Sequence, residues 1–260
     1  MMWNRLDVGS GRPLVLLYGI GMSHKAWKPI VPILSQSRRV IAFDVAGFGD
    51  SPKFDSNKEP TIQNLVEALA EQLREMGIHE PVDIVGNSMG GWMALEAART
   101  GLASSVVAIS PAGLWHESPA HVKTIFFSMR HAIKRMPTFS RRLMKFAVCR
   151  ELLLAIPIGI GGRNIPELDA VSSVNDFNNA SDFERTFSNA GRFIDGQNIK
   201  IPLTIAFGTK DWLLTRNNCQ MKNELPTKLK WVEPRGWGHV PMWKDPHGVA
   251  NLILENISAE

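Results

Sequence analysis

The stretch Val85-Gly86-Asn87-Ser88-Met89-Gly90-Gly91-Trp92 follows directly on an apolar run, Pro81-Val82-Asp83-Ile84-Val85, and sets one serine among glycines. The run ahead of it reads as a buried strand; Met89, Trp92, Met93, Leu95, Ala97 and Ala98 behind it read as a helix. A tight strand-to-helix turn needs glycine where neighbouring side chains would clash, here Gly86 and Gly90, and such a turn lifts a serine hydroxyl above the sheet. The spacing matches neither the Gly-x-Gly-x-x-Gly of a dinucleotide loop nor the terminal Gly-Lys-Ser/Thr of a phosphate loop. A glycine-rich turn that merely packs a helix on a sheet has the same local pattern. The stretch therefore makes a demand on the rest of the chain, because a serine hydroxyl becomes nucleophilic only when a base takes its proton.

Leu14 to Tyr18, Arg39 to Phe43 and Val82 to Val85 are continuous apolar runs bounded by turn residues, the pattern of strands covered on both faces. Val106 to Ile109, Leu203 to Phe207 and Leu229 to Val232 are further strand candidates. Between them lies helical spacing. Ile62, Leu65, Val66, Leu69, Ala70 and Leu73 recur at intervals of three and four across Thr61 to Met76, with Gly77 as the stop. A final helix is expected from Pro246 to Ile257. This alternation predicts an α/β fold, a mostly parallel central sheet covered by helices on both faces. It fails between about Gly113 and Asp195, where Val122, Ile125, Phe126, Met129 and Ile133 share a helical face and Pro137, Pro157, Gly159 to Gly162 and Pro166 break the helices. We expect a core of residues 1–112 and 196–260 and a helical cap, 113–195, over the carboxyl edge where open α/β sheets bind ligands.

The demand for a base is met in the order Ser, acid, His. The strand Leu203 to Phe207 is followed by Gly208-Thr209-Lys210-Asp211, and the strand around Trp231-Val232 by Gly236-Trp237-Gly238-His239. Both loops leave the same sheet edge as Ser88. His239 is expected to take the serine proton, and Asp211 to hold its imidazole in the right tautomer. Asp245 and Asp195 are rival acids, and six other histidines show that the residue is not rare here, so His239 taken alone could equally be a surface or structural histidine. The oxyanion needs preorganised backbone N–H groups. Met89, directly after the serine, and Ile20, in the loop Gly19-Ile20-Gly21-Met22-Ser23, are the expected donors.

Composition narrows the remaining classes. A net charge of +4 does not by itself call for nucleic acid. Cys149 and Cys219 lie far apart, without the spacing of a zinc site or a disulfide framework. The longest apolar stretch, Leu152 to Ile160, is too short to cross a bilayer and contains Pro157, so no stable membrane insertion is expected. The opening residues, with Asp7 where an export signal would be apolar, read as those of a cytoplasmic protein. Lys123, Arg130, Lys134, Arg135, Arg141, Arg142, Lys145 and Arg150 crowd one stretch; a solvated helical face is the simpler reading, a surface for anionic or interfacial substrates the other.

With Leu16-Leu17-Tyr18-Gly19-Ile20-Gly21, Asp44-Val45-Ala46-Gly47-Phe48-Gly49-Asp50-Ser51, Gly86-Asn87-Ser88-Met89-Gly90-Gly91, Gly208-Thr209-Lys210-Asp211 and Gly238-His239-Val240-Pro241 in place, the chain resembles the α/β-hydrolase fold superfamily, in its esterase- and lipase-like branch with a helical cap. The resemblance implies a catalytic triad of Ser88, Asp211 and His239, an oxyanion hole of Ile20 and Met89, and an insertion that acts as a cap. Hydrolysis of a small-molecule ester needs no more than the serine, the histidine and a pair of backbone amides, so no metal or organic cofactor is expected. Tyr18 departs from the family, which usually has histidine there, so support of the oxyanion loop is expected to differ. Ser88 itself argues against the family's haloalkane dehalogenases and epoxide hydrolases, which carry aspartate at that position.

Three functions follow. The first is hydrolysis of carboxylic esters or lactones, with Phe126, Phe127, Met129, Phe139, Met144, Phe146, Trp92, Met242 and Trp243 as candidates for an apolar acyl pocket. The second is C–C bond hydrolysis of meta-cleavage products, with Arg130, Arg163 or Arg192 gripping a carboxylate. The third is ligand binding without turnover, for which a complete triad has no evident use.

Overall fold

Seven strands form one sheet in the computed structural model, which describes residues 2–257. They are β1 (Arg5–Val8), β2 (Pro13–Leu17), β3 (Arg39–Phe43), β4 (Val82–Asn87), β5 (Ala103–Ile109), β6 (Leu203–Ala206) and β7 (Lys230–Val232), in the spatial order β1-β3-β2-β4-β5-β6-β7. Only β1 runs antiparallel, against β3; the other pairings are parallel. Every residue of β4 is buried, as a strand between two helical layers must be. β1 was not among the expected strands. Its sequence Arg5-Leu6-Asp7-Val8 alternates and stays partly exposed, which is how a half-covered edge strand differs from an apolar run.

The strand order reverses at β2. The chain passes from β2 to β3 in one direction along the sheet and from β3 back across to β4 in the other. Right-handed crossovers therefore put α1 (Val31–Leu34) and α2 (Ile62–Glu75) on opposite faces. α3 (Met89–Arg99), crossing from β4 to β5, shares the α2 face and packs on it. After β6 comes the short α9 (Arg216–Cys219), and after β7 α10 (Pro246–Leu254), which packs on α1; α10 ends before the expected Ile257. A crevice opens above the carboxyl ends of β2 and β4, where the connections diverge.

Local sequence explains these helices. Thr61 caps α2 by accepting the Asn64 N–H at 3.2 Å, and Ile62, Leu65, Val66, Leu69 and Leu73 form its buried stripe. Asp245 caps α10 through the Gly248 N–H at 2.9 Å and also accepts the indole N–H of Trp237 at 2.9 Å. Asp245 is thereby committed as a cap.

Between β5 and β6 the chain carries five α-helices: α4 (Ala120–Arg135), α5 (Pro137–Leu143), α6 (Ala147–Leu153), α7 (Glu167–Asn179) and α8 (Phe183–Ser188). α5 begins at Pro137, and Pro166 stands immediately before α7, where the missing N–H costs nothing. Phe126, Phe127, Phe177, Phe183 and Phe187 stack into one aromatic cluster. The Arg130 guanidinium lies 4.7 Å from the Phe183 ring centroid and is buried. It donates to the carbonyls of Phe177 and Ala180 and to Glu184 Oε1 at 2.7 Å. Arg130 thus belongs neither to a solvated face nor to a substrate grip: it ties α4, α7 and α8 together.

The inserted helices are fastened to the sheet domain at several points. Ser181 N–H donates to the Gly47 carbonyl at 2.8 Å, and the Phe54 N–H to Asp182 Oδ2 at 2.7 Å. Ser23 Oγ donates to Asp176 Oδ2 at 2.6 Å, with Lys25 Nζ 3.2 Å from the same carboxylate. Val240 N–H donates to the Ile158 carbonyl at 2.8 Å.

Burial alone would raise the Glu184 carboxyl, but Arg130 and Lys134 outweigh it and hold the group down at about 2, against an ordinary 4.5. A depressed folded value contributes stability above the ordinary value and loses it as pH falls through the folded one. Glu184→Gln should therefore lower the melting temperature near neutral pH by about 2–4 °C. The gap from wild type should close as pH falls from 4.5 to about 2. A gap that stays constant across that range would rule out an ionic contribution.

Candidate active site

Ser88 sits between β4 and α3 with φ 55° and ψ −117°, a backbone region few non-glycine residues enter. Its surroundings over-determine it. The Ser88 N–H donates to the Ile109 carbonyl at 3.1 Å, and its carbonyl accepts from Trp92 and Ala112. A Cβ at Gly86 would strike the Gly90 carbonyl, and one at Gly90 the Leu17 carbonyl. The glycines are where they are because β4, α3 and the end of β2 approach within backbone contact.

His239 and Asp211 follow β7 and β6, as expected. His239 Nδ1 lies 3.0 Å from Asp211 Oδ2, and both side chains are buried. The other Asp211 oxygen accepts the N–H groups of Leu213 at 3.1 Å and Leu214 at 2.9 Å. Burial pushes the Asp211 carboxyl up, but the facing His239 and the backbone donors prevail and hold it below the usual carboxylate range. An ionised carboxylate at Nδ1 selects the tautomer with its proton there and leaves Nε2 as the acceptor. His239 Nε2 is buried and has no hydrogen-bond partner among the described residues. Asp195, the other rival acid, is exposed.

Ser88 and His239 line one cavity of about 270 Å³, together with Gly19, Ile20 and side chains of α4, α5 and α7. A second cavity of about 50 Å³ also reaches Ser88 and is lined by Met89, Trp92 and Trp115. Among the described residues, the backbone N–H groups of Ile20 and Met89 make no backbone hydrogen bond. Of the candidate pocket residues, Phe126, Met129, Phe139 and Met144 line the larger cavity and Trp92 the smaller. Phe127 packs against Phe183 and Phe187, Met242 is buried outside both, and Phe146 is 57% exposed. Trp243 borders a separate depression beside Lys28 and Leu168.

Tyr18 is fully buried. Its hydroxyl accepts the Val45 N–H at 2.9 Å, and its carbonyl accepts the Gly90 N–H at 3.0 Å, so it braces the glycine loop from below. Burial, then the nearby Asp44 charge, keep this phenol far above its ordinary range and neutral.

Asn87 is the residue that sequence reasoning missed. It is fully buried, and its Nδ2 donates to the Ile109 carbonyl at 3.0 Å and to the His239 carbonyl at 2.8 Å. One amide thus ties the histidine loop to the strand that carries the serine. Gly159, after Ile158, lies against Gly238, so a Cβ there would displace the same loop.

Burial, then the Asp211 charge, push the Cys219 thiol up to about 12, which removes it as a nucleophile near neutral pH. Among the described residues, no three His, Cys, Asp or Glu side chains are grouped to hold a metal ion. No helix there is long and apolar enough to cross a membrane.

Comparison with known proteins places the geometry in a wider set. Residues 12–246 match the family model of the alpha/beta hydrolase fold. A 2-hydroxy-6-oxo-6-(2'-aminophenyl)hexa-2,4-dienoic acid hydrolase of Metapseudomonas resinovorans is 34% identical over 114 residues, 42% of this chain and 39% of that protein's length. The epoxide hydrolase EphH of Mycobacterium tuberculosis is 27% identical over 201 residues, 74% of this chain and 93% of that one. Among solved structures, an esterase from Thermogutta terrifontis superposes with a TM-score of 0.66 at 20% identity, covering 97% of this chain and 91% of that one. The carbazole-degradation serine hydrolase CarC gives 0.71 at 23%, covering 96% and 92%. At these identities the structural likeness carries the fold alone.

Asn87→Ala should slow labelling of Ser88 by a fluorophosphonate probe by about 10²-fold, because the imidazole loses its backbone anchor. Asn87→Asp, which keeps the shape but has no N–H to offer two carbonyls, should not restore it. Wild-type labelling rates in a folded Asn87→Ala protein would refute the anchoring role.

Proposed function

This chain belongs to the alpha/beta hydrolase fold family, and from that premise we propose that it is a serine hydrolase of carboxylic esters, lactones included. One observation carries the reading: a buried imidazole, held at Nδ1 by a carboxylate and unpartnered at Nε2, lines the cavity that contains Ser88.

The chemistry follows from that arrangement. Ser88 Oγ attacks the ester carbonyl as its proton passes to His239 Nε2, and the carbonyl π electrons move onto oxygen. The N–H groups of Ile20 and Met89 receive this oxyanion. Collapse breaks the bond to the alcohol oxygen, which takes the proton from His239 and leaves. Water, deprotonated by His239, then attacks the acyl-enzyme, and Ser88 regains its proton. Asp211 stays ionised and stabilises the imidazolium in each half-reaction. Residues 113–195 serve as a cap that keeps bulk water from the cavity. Neither a metal nor an organic cofactor enters these steps. The same reading takes the enzyme as cytoplasmic and its substrate as a small ester, with no nucleic-acid partner and no stable membrane insertion.

The relatives' reactions fit this site less well. Opening an epoxide with Ser88 would leave an ether that water cannot readily release, whereas a carboxylate nucleophile leaves a hydrolysable ester. A dienoic acid substrate carries a carboxylate, and among the described residues no Lys or Arg lines either cavity. Arg130 is bound within the inserted helices, Arg163 faces Glu151, and Arg192 faces Glu224. A neutral ester makes no such demand. A ligand-binding protein would have no use for the Asp211–His239 pair.

p-Nitrophenyl acetate should be turned over by the wild type, and Ser88→Ala should lower kcat about 10⁴-fold or more. Equal hydrolysis by both proteins in a steady-state assay would refute the proposal.

A further inference from the structure

Two lobes meet at Ser88, and they differ in size, in wall and in their relation to the histidine. The larger, about 270 Å³, contains His239 and Val240 and extends beneath Phe139 and Leu143 of α5. The smaller, about 50 Å³, contains Met89, Trp92, Trp115 and Leu213 but not His239. Ile20, Ser88 and Phe126 border both.

The walls differ as well. Trp92 and Trp115 cross edge to face with ring centroids 5.8 Å apart, and the Trp115 indole donates to the Gly191 carbonyl at 2.9 Å. Both are buried, so braced aromatic rings form one wall of the small lobe, whose rim at Ser118 is exposed; its narrowness, about 50 Å³, is what limits the group it can hold. Met136 and Phe139, which line the large lobe, are 49% and 53% exposed. That lobe reaches the surface and can house a chain longer than its enclosed part.

Resting on the ester-hydrolase reading, we infer that the two lobes divide the substrate at its reacting carbonyl: the alcohol in the large lobe, the acyl group in the small one. The argument is the path of the proton. The alcohol oxygen must receive it from His239 Nε2, so the bond to the alcohol points towards the histidine, and the alcohol's carbon chain leaves through the lobe that contains it. The oxyanion points to Ile20 and Met89. The acyl substituent takes the remaining direction, into the lobe that has Met89 and the two tryptophans and lacks the histidine. The enzyme is therefore selective for short acyl groups on long or bulky apolar alcohols. Of the residues expected to line an acyl pocket, Trp92 and Phe126 stay beside the acyl group, while Met129, Phe139 and Met144 pass to the alcohol lobe.

Octyl acetate and methyl nonanoate test this, since they are isomers of equal carbon number with the long chain on opposite sides of the ester. Wild-type kcat/KM should favour octyl acetate by about tenfold or more. Phe187→Ala, which widens the small lobe, should raise the methyl nonanoate to octyl acetate ratio; Ser140→Phe, which fills the large lobe, should lower the octyl acetate to ethyl acetate ratio. Equal rates on the two isomers, or a preference for methyl nonanoate, would overturn the lobe assignment while leaving the esterase intact. Failure to hydrolyse any ester, p-nitrophenyl acetate included, would overturn the esterase reading and the lobe assignment with it.

Discussion

The turn from β4 into α3 is the constraint on which the rest of the site depends. Ser88 holds a strained backbone at φ 55° only because Gly86 and Gly90 let three backbone segments touch. Strain of this kind persists where neighbouring hydrogen bonds outweigh it, and here the Ile109, Ala112 and Trp92 backbones supply them. The same close approach puts the first turn of α3 beside the glycine loop that follows β2. Serine and both proposed oxyanion donors therefore share a single packing solution, and none can shift without the others.

The acid and the base reach this point from chain segments more than 100 residues away, and two buried polar contacts set their register. Leu213 and Leu214 fix one oxygen of Asp211, leaving the other for the imidazole. Asn87 holds the histidine loop by its carbonyl. Asp211 is steadied within its own loop, but it meets His239 from another loop, which Asn87 of β4 holds in turn, so the geometry is a property of the folded sheet edge and of no single loop.

Legibility in the sequence followed the range of the forces involved. β2 to β6 were readable because burial on both faces writes itself as an apolar run, and Ser88, Asp211 and His239 stood out because each lies in a glycine-containing turn or loop after a strand, β4, β6 and β7. β1 escaped because a half-covered edge strand of four residues alternates too briefly to stand out. Asn87 escaped for a different reason: its partners lie 22 and 152 residues away, and no local pattern announces a side chain that bonds two distant carbonyls. Arg130 read as surface charge because its burial arises only when α4, α7 and α8 close around it. Which aromatic side chains of the insertion face the cavity was likewise unreadable, since helix rotation is set by packing between helices.

The hydrogen bond from Val240 to the Ile158 carbonyl has a practical meaning for anyone who would graft a new insertion onto this sheet. The residue next to the histidine takes its support from the inserted segment, and Gly159 lies flush against Gly238. Exchanging the segment wholesale would trade away a strut of the histidine loop along with a pocket wall. A chimera should carry Ile158 and Gly159 with the recipient sheet, as if they belonged to it, and place its junctions on either side of them.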